Sequence, residues 1–246
     1  MKKKTYIISL QSAIGNSMIY RVYSSHSIDE SHILNAIESW NRDGIINIAV
    51  NDSDLKRDAR RLPYIKDILD IGYSKCLNDN DIILYTNVDI GLIEDFEGFP
   101  NQNFFLVRKD VRDIRKYTKS DLQKMAHHPW LSSDSFGVTK KWYRENRDII
   151  PDFIIGSPSW DIAFIFLTDG VRIDDVSFHT VHGEPKWGTN IRDSFHSYNK
   201  NLFYRLLSTK GYNVSNIEAE KGQFTKLPKE LLRYFKEHKG FNYIHY

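Results

Sequence analysis

Asp81-Ile82-Ile83-Leu84-Tyr85-Thr86-Asn87-Val88-Asp89-Ile90 is an apolar run that ends in an amide and a carboxylate. Apolar residues in unbroken succession, preceded by the polar cluster Asn78-Asp79-Asn80-Asp81, predict a strand buried on both faces, as in the middle of a parallel sheet. Open parallel sheets collect ligands beyond the carboxyl ends of their strands, where Asn87 and Asp89 fall. Two oxygen-bearing side chains at that edge suit a hard divalent cation that bridges phosphates. Two residues apart in an extended turn, they point the same way.

Working outward, residues 5–10 (Thr-Tyr-Ile-Ile-Ser-Leu) read as a first buried strand, and 11–16, with Gly15, as the loop leaving its carboxyl end. Ser27 and Glu30 have capping-box spacing. Ile33, Leu34, Ile37 and Trp40 then recur at helical spacing, which predicts a helix from about residue 29 to 40. Residues 45–50 supply a second strand, closed by the polar turn Asn51-Asp52-Ser53-Asp54. Pro63 suits the first turn of the next helix, whose apolar face takes Ile65, Ile68, Leu69 and Leu77. Strand, helix, strand, helix, strand over about ninety residues predicts a parallel sheet with right-handed crossovers.

Beyond it, 103–108 reads as another strand, and periodicity then weakens through a charged stretch ending in His127-His128-Pro129-Trp130. Residues 135–139 read as extended, 160–167 as an apolar helix with Asp161 near its start, and 171–182 as a strand. Ile191, Phe195, Tyr198, Leu202, Phe203 and Leu206 mark a long amphipathic helix. Residues 227–239 form a last one, with Leu231, Leu232 and Phe235 on one face. The expected fold class is α/β: a central, mostly parallel sheet flanked by helices, with C-terminal helices, in a single domain.

Composition narrows the function. The 246 residues carry a formal charge of only +2, which supplies no global field for nucleic acid. The basic stretches 56–61 and 108–116 are interrupted by aspartates and read as solvated faces or loops. One cysteine, Cys76, excludes an internal disulfide framework and fits a reducing compartment; its pattern places it in a core helix. No stretch approaches the roughly 20 apolar residues that span a bilayer, so the chain reads as cytoplasmic, without integral membrane contact. Phosphate-binding Gly-rich loops and the Gly-x-Ser-x-Gly elbow are missing from the sequence, so nucleophilic serine or cysteine catalysis ranks low.

Two further groups can do chemistry. Asp161 sits between Trp160 and an apolar run, where desolvation raises a carboxyl group toward a useful base; the alternative is an ordinary first-turn aspartate favoured by the helix dipole. His179 and His182 are three apart, so on an extended strand they face opposite ways and at most one reaches a given site.

In order and spacing, Tyr85-Thr86-Asn87-Val88-Asp89-Ile90, Pro151-Asp152-Phe153-Ile154-Ile155-Gly156-Ser157-Pro158-Ser159-Trp160-Asp161 and His179-Thr180-Val181-His182 resemble motifs of GT-A-fold, nucleotide-sugar-dependent glycosyltransferases. The resemblance spans roughly residues 5 to 190. It implies a GT-A-like, Rossmann-related fold and a donor pocket built with Asn87, Asp89 and Trp160, to which the loop leaving the first strand, able to touch a nucleotide, adds Gln11. It implies a divalent metal, Mn²⁺ or Mg²⁺, on Asp89 and His182, and Asp161 as the base acting on an acceptor hydroxyl. Asn87 departs from the Asp-x-Asp form, and an amide suits the donor ribose or sugar better than a cation. The implied partners are a nucleotide-sugar donor and a hydroxyl acceptor, whether small molecule, glycan or modified DNA base. A DNA-base enzyme would use Arg108 to Lys116 on phosphates. From other classes, a metal-dependent phosphoesterase or nuclease and an inactive sugar-nucleotide-binding module stand as alternatives.

Overall fold

Ile82 and Leu84 enter one apolar layer of the protein and Ile83 and Tyr85 the other, so the strand over Ile82–Thr86 is buried on both faces. In a computed structural model, residues 17–24, 31–51, 55–56, 63–111, 115–125, 133–156, 159–180, 194–212 and 229–239 are described. Among them, seven strands form one sheet: β1 (Ile19–Ser24), β2 (Ile45–Val50), β3 (Ile82–Thr86), β4 (Ile90–Leu92), β5 (Phe104–Val111), β6 (Ser135–Thr139) and β7 (Val171–Thr180). Their order is β2-β1-β3-β6-β5-β7-β4. β1, β2, β3, β5 and β7 all point the same way, and β6 and β4 run against them. The expected α/β class and mostly parallel sheet are observed.

This polarity decides where a site can be. The carboxyl ends of β3, β5 and β7 share one edge, and the antiparallel β6 and β4 begin at that same edge. Residues just after β3, late in β5 and β7, and just before β6 and β4 therefore meet.

The expected first strand, 5–10, and the loop with Gln11 lie outside the described residues. The strand that pairs with both β2 and β3 is Ile19–Ser24, whose apolar run is interrupted by Arg21. Helix α1 (Ser31–Ser39) follows, within the span expected for it. Helix α2 (Ile65–Lys75) buries Ile65, Ile68, Leu69 and Gly72. Two corrections apply there. Pro63 precedes the helix, and its carbonyl accepts from the Ile155 amide at 3.0 Å. Leu77 and Cys76 lie beyond the helix end, because Cys76 turns extended at ψ 137° and Asp81 accepts from the Leu77 and Asn78 amides, both at 2.8 Å. Leu77 is 79% exposed, while the Cys76 thiol is buried and pushed up to about 12, an inert state.

One layer, beneath α1 and α3 (Lys119–Gln123), holds Ile19, Trp40, Leu84, Phe104, Leu106 and Phe178. The other holds Tyr20, Val22, Tyr85 and Phe136 against α2, α4 (Lys140–Asn146), α5 (Trp160–Thr168), α6 (Ser194–Thr209) and α7 (Lys229–Lys239). Both C-terminal helices enter that layer through Phe203, Leu207, Leu231 and Phe235. The α6 side chain Asn199, fully buried, accepts from the Ile154 amide at 2.9 Å and donates to its carbonyl at 2.8 Å, which fixes the segment leading to Trp160 and Asp161. α7 is tied down by Lys239, which donates to the Gly170 carbonyl at 2.9 Å and pairs with Asp169. No helix among the described residues is long and apolar enough to cross a membrane.

The sheet centre tolerates no added atoms. Gly137 of β6 is registered with Phe104, whose ring lies over it where a Cβ would stand. Gly137→Ala is therefore expected to cost about 1 to 3 kcal/mol through overpacking, read as a lower urea midpoint at unchanged m-value.

Candidate active site

The turn after β3 is closed by a hydrogen bond from the Ile90 amide to the Asn87 carbonyl at 3.3 Å. It is a turn rather than an extended segment, and its two polar side chains reach different partners. Asn87 Oδ1 accepts from the Tyr85 hydroxyl at 2.5 Å. Asp89 Oδ2 meets His179 Nε2 at 3.0 Å, and the other ring nitrogen, Nδ1, meets Asp110 Oδ1 at 3.0 Å. A neutral imidazole carries one N–H and can donate to one of these carboxylates, whereas the imidazolium donates to both. Burial works against that charge, but the bonds to Asp110 and Asp89 outweigh it and hold His179 above the ordinary histidine value. For Asp89, burial pushes upward, and the bond and charge of His179, with the charge of Arg108, bring the carboxyl below its ordinary range.

Arg108 completes the group. Its Nε lies 3.2 Å from Asp110 Oδ1, and its Nη1 pairs with Asp134. The Asp134 carbonyl in turn accepts from the Asn87 amide at 3.0 Å. Asp89, His179, Asp110, Arg108 and Asp134 thus form one continuous ionic chain at the carboxyl edge of the sheet.

A β-bulge brings Arg108 there. Leu106 pairs with Ile173, but Arg108 pairs with Ser177, so two residues on β5 oppose four on β7, where Asp175 takes a left-handed φ of 58°. Past the bulge Lys109 pairs with Phe178 and reaches the Met125 carbonyl, on the α3 side of the sheet, while Asp110 pairs with His179 on the other. By composition this run reads as a solvated stretch. Its alternating charges carry no sign that Arg108 and Lys109 turn inward, and Asp134 lies in no motif of the sequence.

Asp161 lies in the first turn of α5, which opens on Ser159 in the left-handed region at φ 75°. Because α5 leads into the start of β7 at the far edge, its N-terminus points back to the edge that carries the ionic chain. Asp161 keeps some accessible surface, yet desolvation dominates and pushes its carboxyl group up to about 6, against hydrogen bonds from the Ile162 amide and its own and against the charge of Arg108. Trp160, expected at the donor, is 4% exposed and packs edge-on against Tyr85 at 5.5 Å and Phe136 at 5.2 Å. Its place is a core ring under the site, because the first turn of α5 buries one face against the sheet. Gln11 and His182 lie outside the described residues, as do His127 and His128.

The residues present fit a divalent cation in one respect. Asp89 Oδ1 is buried and lacks a hydrogen-bond partner, which leaves one carboxylate oxygen to coordinate. Among the described residues, no three histidine, cysteine or acidic side chains are placed to hold a metal ion by themselves.

No protein-family model and no curated protein sequence matches the chain. Among solved structures, it is similar to the catalytic domain of Drosophila β1,4-galactosyltransferase 7 in complex with xylobiose, with a TM-score of 0.48 and 12% identity over 75% of this chain and 79% of that one. It is also similar to the glycosyltransferase GlyE of Streptococcus pneumoniae TIGR4, with a TM-score of 0.37 and 7% identity over 78% of this chain and 63% of that one. A third is the galactosyltransferase LgtC in complex with donor and acceptor sugar analogs, with a TM-score of 0.28 and 12% identity over 88% and 99% of the two chains. All three are glycosyltransferases.

Proposed function

We propose that this protein is a glycosyltransferase that moves a sugar from a nucleotide-sugar donor to an acceptor hydroxyl. The observation that carries this reading is the meeting of the motifs at one sheet edge: Asp89 from the first touches His179 from the third at 3.0 Å, and Asp161 from the second opens the helix aimed at them. Glycosyl transfer asks for charge compensation at a departing diphosphate and for a base at the acceptor. Asp89 would hold a divalent cation together with the donor diphosphate, and that cation would neutralise charge on the leaving group.

The chain's own residues do the rest. His179 orients the Asp89 carboxylate and favours its ionised form, and Asp110, held by Arg108, favours the charged form of His179. Asn87, fixed through its oxygen by Tyr85, has its NH₂ group to offer the donor ribose or sugar. His182, by its motif, is assigned to the metal with Asp89, and Gln11, in the loop expected after the first strand, to the donor. Asp161, its carboxyl group raised to about 6 by burial, takes the proton from the acceptor hydroxyl as its oxygen attacks the anomeric carbon and the bond to the diphosphate breaks. Direct attack with Asp161 as base gives inversion at that carbon.

The DNA-base variant of this reading is weakened by Arg108, which is committed to Asp110 and Asp134 and so is turned away from a phosphate backbone.

A thermal-shift series with nucleoside diphosphates and nucleotide sugars, with and without Mn²⁺, tests the proposal. A ligand present at about 100 times its Kd adds about 2.7 kcal/mol, worth roughly 5 to 10 °C for a chain of this size. One nucleotide is expected to give such a shift, larger with Mn²⁺, and transfer to an acceptor is expected to release the diphosphate. No shift with any nucleotide sinks the proposal. Binding without turnover identifies an inactive module, and hydrolysis of a phosphate ester without any sugar nucleotide identifies a phosphoesterase.

A further inference from the structure

Arg21 is fully buried in β1, with no exposed surface. Its Nε donates to Thr86 Oγ1 at 2.8 Å and its Nη1 to Asn47 Oδ1 at 3.0 Å, and Nη2 has no hydrogen-bond partner. The guanidinium carbon lies 4.4 Å from the centre of the Tyr23 ring and 4.8 Å from that of Trp40. Trp40 Nε1 donates to the Ile90 carbonyl at 2.7 Å. Asn47 Nδ2 closes the set by donating to the Trp40 carbonyl at 3.1 Å. Thr86 is the residue immediately before Asn87, and Ile90 the residue immediately after Asp89. One bonded unit of Arg21, Trp40 and Asn47 therefore grips the turn at both ends, from the face of the sheet opposite Tyr85.

Stability does not account for this arrangement. A buried guanidinium with an unmet N–H is costly, and apolar replacement of buried ions is often neutral or stabilising. Its planar fork does what an apolar chain cannot: it fixes Thr86 and Asn47 at once while stacking on two rings. We propose that Arg21 and Trp40 are positioning residues that clamp the Asn87-Val88-Asp89 turn, so that Asp89 and Asn87 are preorganised for the donor. The clamp stands on geometry alone, whereas its purpose rests on the donor-site reading given above.

Hydrogen exchange read by mass spectrometry over residues 86–92 is the test, in Trp40→Phe and Arg21→Lys. Phenylalanine keeps the aromatic packing against Phe99 but removes the N–H that holds Ile90. Lysine keeps the charge but cannot span Thr86 and Asn47. Tyr143→Phe, remote on the α2 face, where the hydroxyl bonds Asp70 at 2.8 Å, serves as a control for general destabilisation. Both clamp variants are expected to speed exchange of 86–92 about tenfold while residues 82–85 are unchanged, and to weaken Mn²⁺-dependent nucleoside diphosphate binding by about tenfold, the usual cost of removing a supporting residue. The control is expected to leave both readings unmoved. Unchanged exchange in a folded clamp variant overturns the clamp, and faster exchange with unchanged binding overturns its positioning role. If the unaltered protein binds no nucleoside diphosphate, the proposed function fails while the clamp is still judged by exchange.

Discussion

Asp161→Asn is expected to lower the transfer rate by about 10² to 10⁴-fold and, at the same time, to make the protein more stable at pH 8. The two effects share one cause. An ordinary aspartate titrates near 3.8, whereas burial raises Asp161 to about 6. Between those values the native state binds more protons than the unfolded chain, so stability falls as pH rises across the window, and the full penalty is present above about 6. The difference corresponds to at most about 3 kcal/mol, less whatever solvent reaches the partly exposed side chain. Asparagine is neutral at every pH and can still accept the Ile162 amide. Urea denaturation at pH 8 should show the variant ahead, and the gap should close by about pH 4. The rate of the unaltered protein should fall on the acid side of about pH 6, where the base is protonated. Full activity in Asp161→Asn would remove it as the base, and a loss of stability at pH 8 would remove the desolvation argument.

Arg108→Met is expected to destabilise the protein by about 3 to 5 kcal/mol, because it leaves carboxylates buried without their cation. The Arg108 side chain is 11% exposed and that of Asp134 18%, so little solvent is available to replace the lost charge. Without Arg108, Asp110 and Asp134 also cease to be held, and His179 loses its fixed partner. The deficit should be largest near neutral pH and should shrink as the carboxylates become protonated in acid. Arg108→Lys is expected to recover only part of it, since one ammonium cannot reach both Asp110 and Asp134 as the fork does. A loss below about 1 kcal/mol in urea denaturation would mean that the ionic chain is screened like a surface pair.

The site is legible in the sequence for some of its residues and not for others. Asp161 was readable, because a carboxylate at the border of a polar turn and an apolar helix announces its own desolvation. Arg108 was not. It belongs to a charge-rich run whose appearance is that of a solvated face, and its inward turn depends on the bulge between β5 and β7, which pairing geometry creates and composition does not mark. The histidine pair lies between these cases. Strand parity allows one ring of an extended pair at a given site, and the register of β7 against Asp110 is what places His179 beside Asp89. Ile19–Ser24 is hidden in the sequence for a related reason: a buried arginine is incompatible with a core strand unless partners such as Thr86, Asn47, Tyr23 and Trp40 surround it.

The sequence by itself determined the apolar strand over residues 82–86, the polar turn that ends it, the helix that begins at Trp160 and the α/β class, because burial and backbone period are written in local order. Tertiary structure alone decided that Asp89, His179, Asp110, Arg108 and Asp134 form one ionic chain, and that Arg21 stands behind the turn. Those contacts join residues up to ninety positions apart. They depend on strand order, on two strands running against the rest, and on a bulge that reverses which way a side chain faces. None of these has a signature in the spacing of neighbouring residues.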